Sequence, residues 1–144
     1  MSATGQWFGW AVGAAVFAAL TGVLAKVGVR GIDSNFATLI RTIVITVILA
    51  GIVAFTGAWS NPLALPKKTL LFLILSAFAT GASWVCYYRA LQLGDVCQVV
   101  PVDKASVVLA ILFAALFLGE RPTLRDWTGA ALIAAGVFLL ALKR

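Results

Sequence analysis

Asp103 and Lys104 stand side by side in the stretch Pro101-Val102-Asp103-Lys104-Ala105-Ser106, just inside an otherwise unbroken apolar run. Neighbouring opposite charges in such a run can pair across a helix interface, line a solvated cavity or hold a solute, because an embedded charge without a partner or water is costly. Two local readings are open. Asp95 and Gln98 have the spacing of a capping box, which starts a helix there and places Asp103 eight residues in, ~12 Å along the axis. Pro101 then sits inside the helix, removes one backbone hydrogen bond and acts as a hinge. Alternatively the helix starts at Pro101, Asp103 is a first-turn acid favoured by the helix dipole, and Lys104 reaches out to headgroups.

Further basic groups lie at comparable depth. Arg41, Lys26, Arg30 and Arg89 fall near the same ends of their apolar segments as Lys104, with Asp103 as the one acid well inside those segments. Asp103 is therefore expected to pair with Arg41 or Lys104. Adjacent helical residues diverge by about 100°, which favours Arg41 from another helix. Thr80, Trp84 and either Tyr87 or Tyr88 follow at helical spacing, a stripe suited to a mixed polar and apolar pocket or to aromatic packing between helices. Ser34, Thr38, Thr42 and Thr46 recur every fourth residue, the pattern of hydroxyls that bond across helix interfaces. The candidate substrate or coupling residues are thus Asp103, Lys104, Arg41, Lys26, Trp84 and Tyr87, with Pro101 as hinge.

The elements that position these groups follow from composition. The chain has 144 residues, 62% hydrophobic and 11% charged, far outside the balance of a soluble domain. At roughly 20 apolar residues per crossing, the sequence predicts an all-α integral membrane protein in one domain, residues 1–144, with five helices at about 7–29, 34–57, 69–91, 96–118 and 127–142. The first is long enough to span and no Lys or Arg precedes it, so it reads as a retained helix and not a signal peptide. Trp7, Trp10, Trp59 and Trp127 lie near segment ends, at the level of an interfacial aromatic belt, whereas Trp84 lies inside the third segment.

The net charge of +6 is spread one or two residues at a time along segment edges, which fits headgroup contact and excludes a nucleic-acid patch. There is no histidine, and Cys86 and Cys97 have no metal-ligand spacing, so neither a metal nor a cofactor is expected. No nucleophile and base pair points to an enzyme. Short loops make neighbouring helices antiparallel. The face of the N-terminus then carries Lys67, Lys68, Arg121 and Arg125, and the opposite face carries Lys26, Arg30, Arg89, Lys143 and Arg144. So even a balance predicts insertion in both orientations, and two opposed copies of an odd-numbered bundle complete an inverted-repeat assembly. Gly129 and Gly136, seven residues apart with Ile133 between them, mark the helix-five face for that contact, and Gly9 and Gly13 form a GxxxG pair on helix one.

The run from Tyr87 to Val137 resembles the EamA domain of the drug/metabolite transporter superfamily, most specifically in Leu118-Gly119-Glu120 and in Gly129-x-x-Leu132-Ile133-x-x-Gly136-Val137. The same glycine pattern is similar to the dimerising last helix of small multidrug resistance proteins. The resemblance implies one repeat of a ten-helix transporter fold, a half-length member paired with a second copy, in the bacterial cytoplasmic membrane. Small multidrug resistance proteins rely on a glutamate deep in helix one, and helix one here carries no acid, so any proton coupling falls to Asp103. The leading expectation is a homodimeric transporter of small organic solutes, with the embedded cations favouring a solute that carries an anionic group. A non-transporting membrane scaffold and a transporter of a lipid-linked substrate are the alternatives.

Overall fold

The computed structural model describes residues 3–142 and is all-helical over them. Lys143 and Arg144, counted above in the charge balance, lie outside the described residues. The helices are α1 (Ala3–Gly28), α2 (Ser34–Phe55), α3 (Lys67–Leu93), α4 (Val96–Asp103), α5 (Ser106–Phe117) and α6 (Leu124–Ala141), with a single 3₁₀ turn at Pro62–Ala64. Five spans are long and apolar enough to cross a membrane, and the fourth, Val96–Phe117, is built from α4 and α5 together. The five-span reading of the sequence holds, with one of the five interrupted.

Local chemistry explains where the helices start and stop. Asp33 caps α2, its Oδ1 accepting from the backbone N–H groups of Asn35 (2.9 Å) and Phe36 (3.1 Å). At the other end Gly57 takes a φ of +64°, open to glycine without strain. The Ala58 N–H then reaches the Val53 carbonyl at 3.1 Å and the Gly57 N–H reaches Ala54 at 3.3 Å, the two bonds of a Schellman stop. This ends α2 at Phe55, two residues before the expected boundary. Helix α6 starts at Leu124, three residues earlier than expected, because Thr123 and Asp126 form a full capping box: the Asp126 carboxylate accepts from the Thr123 N–H at 2.7 Å, and the Thr123 hydroxyl accepts from the Asp126 N–H.

The capping box expected at Asp95 and Gln98 does not form. Asp95 is the N-cap of α4, yet its side chain makes no cap hydrogen bond, and the Gln98 N–H is taken by the Asp95 backbone carbonyl at 3.0 Å. The hydroxyl line of α2 is corrected as well. Thr38, Thr42 and Thr46 each donate to the carbonyl four residues back on their own helix, at 2.8 Å, so these donors are spent locally and not on a neighbouring helix.

The chain forms two compact units. One comprises Ala25–Leu93 and the other the residues up to Leu24 together with those from Gly94 onward. In the first, α2 packs on α3; in the second, α6 packs on α4 and α5. Large apolar side chains are exposed along every helix, Phe55 at 97% among them. Acyl chains are as apolar as these side chains, so the bilayer satisfies them and leaves close packing to a few positions.

Candidate functional site

The packed positions of the first unit gather at one end. Val29, Ser34, Ala37, Thr38, Tyr88 and Leu91 are buried, Leu91 completely. They come from the chain leaving α1, the first turns of α2 and the last turns of α3. Two side chains tie this end together through backbone carbonyls, one in the last turn of α3 and one in the connection between α1 and α2. Lys26 Nζ donates to the Leu91 carbonyl at 2.7 Å, and Gln92 Nε2 donates to the Ile32 carbonyl at 2.8 Å. Arg89 in turn donates to Gln92 Oε1 at 2.9 Å. Lys26, expected as a substrate or coupling residue, thus places its ammonium at the C-terminal end of α3, where the helix dipole favours a cation. Gln92 was not singled out in the sequence, since a lone polar residue at a helix end carries no spacing signal.

Arg41 lies seven residues into α2, about 10 Å along its axis from the packed end. Its guanidinium carbon sits 4.2 Å from the centroid of the Trp84 ring and 5.6 Å from that of Tyr88. Trp84 and Tyr88 are four residues apart on α3 and so share a face. The sequence left the phenol as Tyr87 or Tyr88; Tyr88 is the one against Arg41. Tyr87 packs edge-on against Tyr88, with centroids 6.3 Å apart. Thr80, the other member of that stripe, spends its hydroxyl on the Ser76 carbonyl at 2.9 Å.

A guanidinium over aromatic faces gains about 0.5–2 kcal/mol, and its N–H edge remains available to an acceptor in the ring plane of the fork. Among the described residues Arg41 has no carboxylate within ion-pair distance and no hydrogen-bond acceptor. What is held here is a half-buried cation, oriented by two rings, with its donors unspent. Such a group suits an oxyanion with two oxygens to offer, a carboxylate or a phosphate, attached to an apolar or aromatic body.

In the second unit the fourth span breaks where its charges lie. Pro101 sits inside α4, and the chain passes Lys104 and Ala105 in tight turns before α5 begins. The Lys104 N–H bonds back to Pro101 at 3.0 Å, Ala105 to Val102 at 3.0 Å and Val107 to Lys104 at 3.1 Å. These three-residue steps interrupt the four-residue ladder, which survives there as the shared bond from the Lys104 N–H to Val100 at 3.3 Å. Asp103 ends α4, so it is not a first-turn acid. Its Oδ2 pairs with Lys104 Nζ at 3.1 Å, the carboxylate 35% and the ammonium side chain 50% exposed. The expected preference for Arg41 as partner is therefore corrected. The 100° divergence holds within a regular helix, and Lys104 is the residue at which the helix ends, so its long side chain folds back onto its neighbour.

On α6, Ala130 is buried at 3% exposure. A methyl group added to Gly129 or Gly136 meets nothing within 4 Å, and Ile133 is 39% exposed. The chain itself leaves that glycine face uncovered.

Comparison with known proteins places these elements in context. The EamA-like transporter family matches residues 5–142. The chain is 57% identical over 137 residues to an uncharacterised transporter in the cobO 3' region of Sinorhizobium sp., covering 95% of this chain and 97% of that protein. It is 33% identical over 84 residues to the probable 4-amino-4-deoxy-L-arabinose-phosphoundecaprenol flippase subunit ArnE of Yersinia pestis (strain Pestoides F), 58% of this chain and 74% of that protein. The same figures hold for the protein of that name in Yersinia pseudotuberculosis serotype O:1b. No solved structure matches the chain.

Proposed function

Since the chain belongs to the EamA-like transporter family, and is thus a multi-pass protein of the inner membrane, we propose that it carries small organic solutes with an anionic group by alternating access, as an antiparallel pair of copies. The observation that carries this reading is Arg41, held over Trp84 and Tyr88 with its donors unspent. A cation embedded in a membrane span requires an anion or water, and a transported anion supplies the partner intermittently. Pro101 and the broken fourth span supply the hinge, and Asp103 with Lys104 responds to its movement. Nothing in this reading calls for covalent chemistry, so the chain is a carrier and not an enzyme. Purified protein in proteoliposomes tests it: uptake of carboxylated or phosphorylated solutes is expected to exceed that of matched neutral and cationic solutes, and transport of cations alone would overturn it.

The balanced distribution of Lys and Arg supports insertion in both directions. Reporter fusions at the C-terminus are expected to show activity on both sides of the membrane, whereas signal on a single side would rule out the antiparallel homodimer. The uncovered face of α6 supports its role in joining the copies. Substituting leucine at both Gly129 and Gly136 is expected to convert dimer to monomer in detergent, read by light scattering or cross-linking, because close backbone approach is lost. An unchanged oligomeric state would move the contact to another helix.

A second reading has its own support. The Yersinia relatives are named as flippase subunits for a phosphoundecaprenol-linked amino sugar. A phosphate on a lipid presents Arg41 with the same kind of anion as a free solute. The word subunit also supports a second, different chain as partner in place of a second copy. Transfer of a lipid-phosphate analogue between leaflets, with no uptake of water-soluble anions, would favour this reading over the first.

A further inference from the structure

The Leu118-Gly119-Glu120 motif is not used by the site around Arg41, yet its Glu120 stands at the rim of a pocket in the other unit. Gly119 adopts a φ of +68°, and the Glu120 N–H bonds the Ala114 carbonyl at 3.2 Å, which turns the chain sharply at the end of α5. The pocket, of about 640 Å³, is lined by Val107, Ala110, Ile111 and Ala114 below and by Glu120, Arg121, Pro122 and Asp126 above.

The wall residues are spaced three, one and three apart, so they form one face of α5. Val107 lies ten residues before the end of the span at Phe117, ~15 Å in, about half the thickness of a hydrocarbon core. Residues 118–123 join two spans and so lie at headgroup level. The pocket thus runs from the headgroup region towards the midplane, aliphatic throughout its depth and charged only at its mouth. Of the charged groups there, Asp126 is spent on its cap with Thr123. Glu120 and Arg121 are adjacent and opposite in charge. Among the described residues no ion pair within 4 Å joins Glu120 to Arg121, so each keeps its charge for a partner at the mouth.

We propose that this pocket binds a phospholipid with a primary-amine zwitterionic headgroup, its acyl chain along α5, its phosphate on Arg121 and its ammonium on Glu120. The charge order at the rim selects the headgroup: an ammonium with N–H donors bonds the carboxylate, a quaternary ammonium has none to give, and an anionic headgroup lacking an amine leaves Glu120 unpaired beside it. This pocket shares no residue with the Arg41 site, and its occupancy does not depend on what that site carries.

Native mass spectrometry of the purified full chain, titrated with phosphatidylethanolamine, phosphatidylcholine and phosphatidylglycerol, tests the assignment. Phosphatidylethanolamine is expected to bind about tenfold more tightly than either of the others, the scale of one charge-assisted hydrogen bond. Glu120→Gln is expected to remove that preference, and Arg121→Gln to weaken all three lipids together. Both side chains are exposed, so neither change removes packing. A preference for phosphatidylglycerol, a preference that survives Glu120→Gln, or a purified protein that retains no lipid would each overturn the proposal.

Discussion

Arg41→Gln is expected to lower kcat/KM for anionic solutes by about two orders of magnitude, the scale of losing one partner of a desolvated charge pair. Glutamine keeps much of the length and removes the charge, so the helix spacing between α2 and α3 is preserved while the anion loses its partner. Arg41→Lys is expected to fall about tenfold, because an ammonium keeps the charge but neither stacks as a plane on Trp84 nor offers the two-pronged edge of a guanidinium. Trp84→Ala frees the guanidinium to wander and should raise KM more than it lowers kcat. Uptake kinetics in proteoliposomes, with protein amount normalised by tryptophan-independent quantitation, measure all three. Arg41→Gln at wild-type rate would remove the site from this part of the chain.

The second large effect is expected at the break in the fourth span. Asp103→Asn leaves Lys104 without its partner at 3.1 Å, at the C-terminal end of α4 where a carboxylate itself lies against the unfavourable end of the helix dipole. Transport is expected to be abolished or uncoupled from its driving gradient, with expression and oligomeric state largely retained. The double substitution Asp103→Asn with Lys104→Gln separates two roles. Removing both members of an ion pair is often far less damaging than removing one, so a pair that only stabilises the break recovers transport in the double variant. A pair that couples transport does not. Unchanged transport in Asp103→Asn alone would exclude both roles and leave the pair as a local feature of the turn.

The site of greatest interest was partly legible beforehand. Arg41 and Trp84 were both identifiable as polar or amphipathic side chains inside apolar runs, where each must be explained. Their mutual contact was not, because it depends on how α2 and α3 are rotated about their own axes. The same rotation decides that Tyr88, and not Tyr87, faces the guanidinium. Gln92 escaped notice for a related reason: its value lies in reaching the carbonyl of Ile32, sixty residues away in sequence.

Some properties follow from residues close together in the chain and needed nothing else. The five crossings follow from runs of apolar side chains as long as the bilayer is thick. The start of α2 at Asp33 and the weakness at Pro101 follow from single side chains acting on the backbone within a turn. Where two local signals compete, the path of the backbone within the turn decided. Thr123 and Asp126 formed the capping box that Asp95 and Gln98 did not, and Lys104 took the carboxylate that Arg41 had been expected to hold. Only the tertiary structure decided that Arg41 lies over Trp84 and Tyr88 and that Gln92 reaches the Ile32 carbonyl. The physical reason is the range of the forces: backbone hydrogen bonds and burial in lipid are settled within a few residues, whereas contacts between residues far apart in the chain wait on how the helices pack against one another.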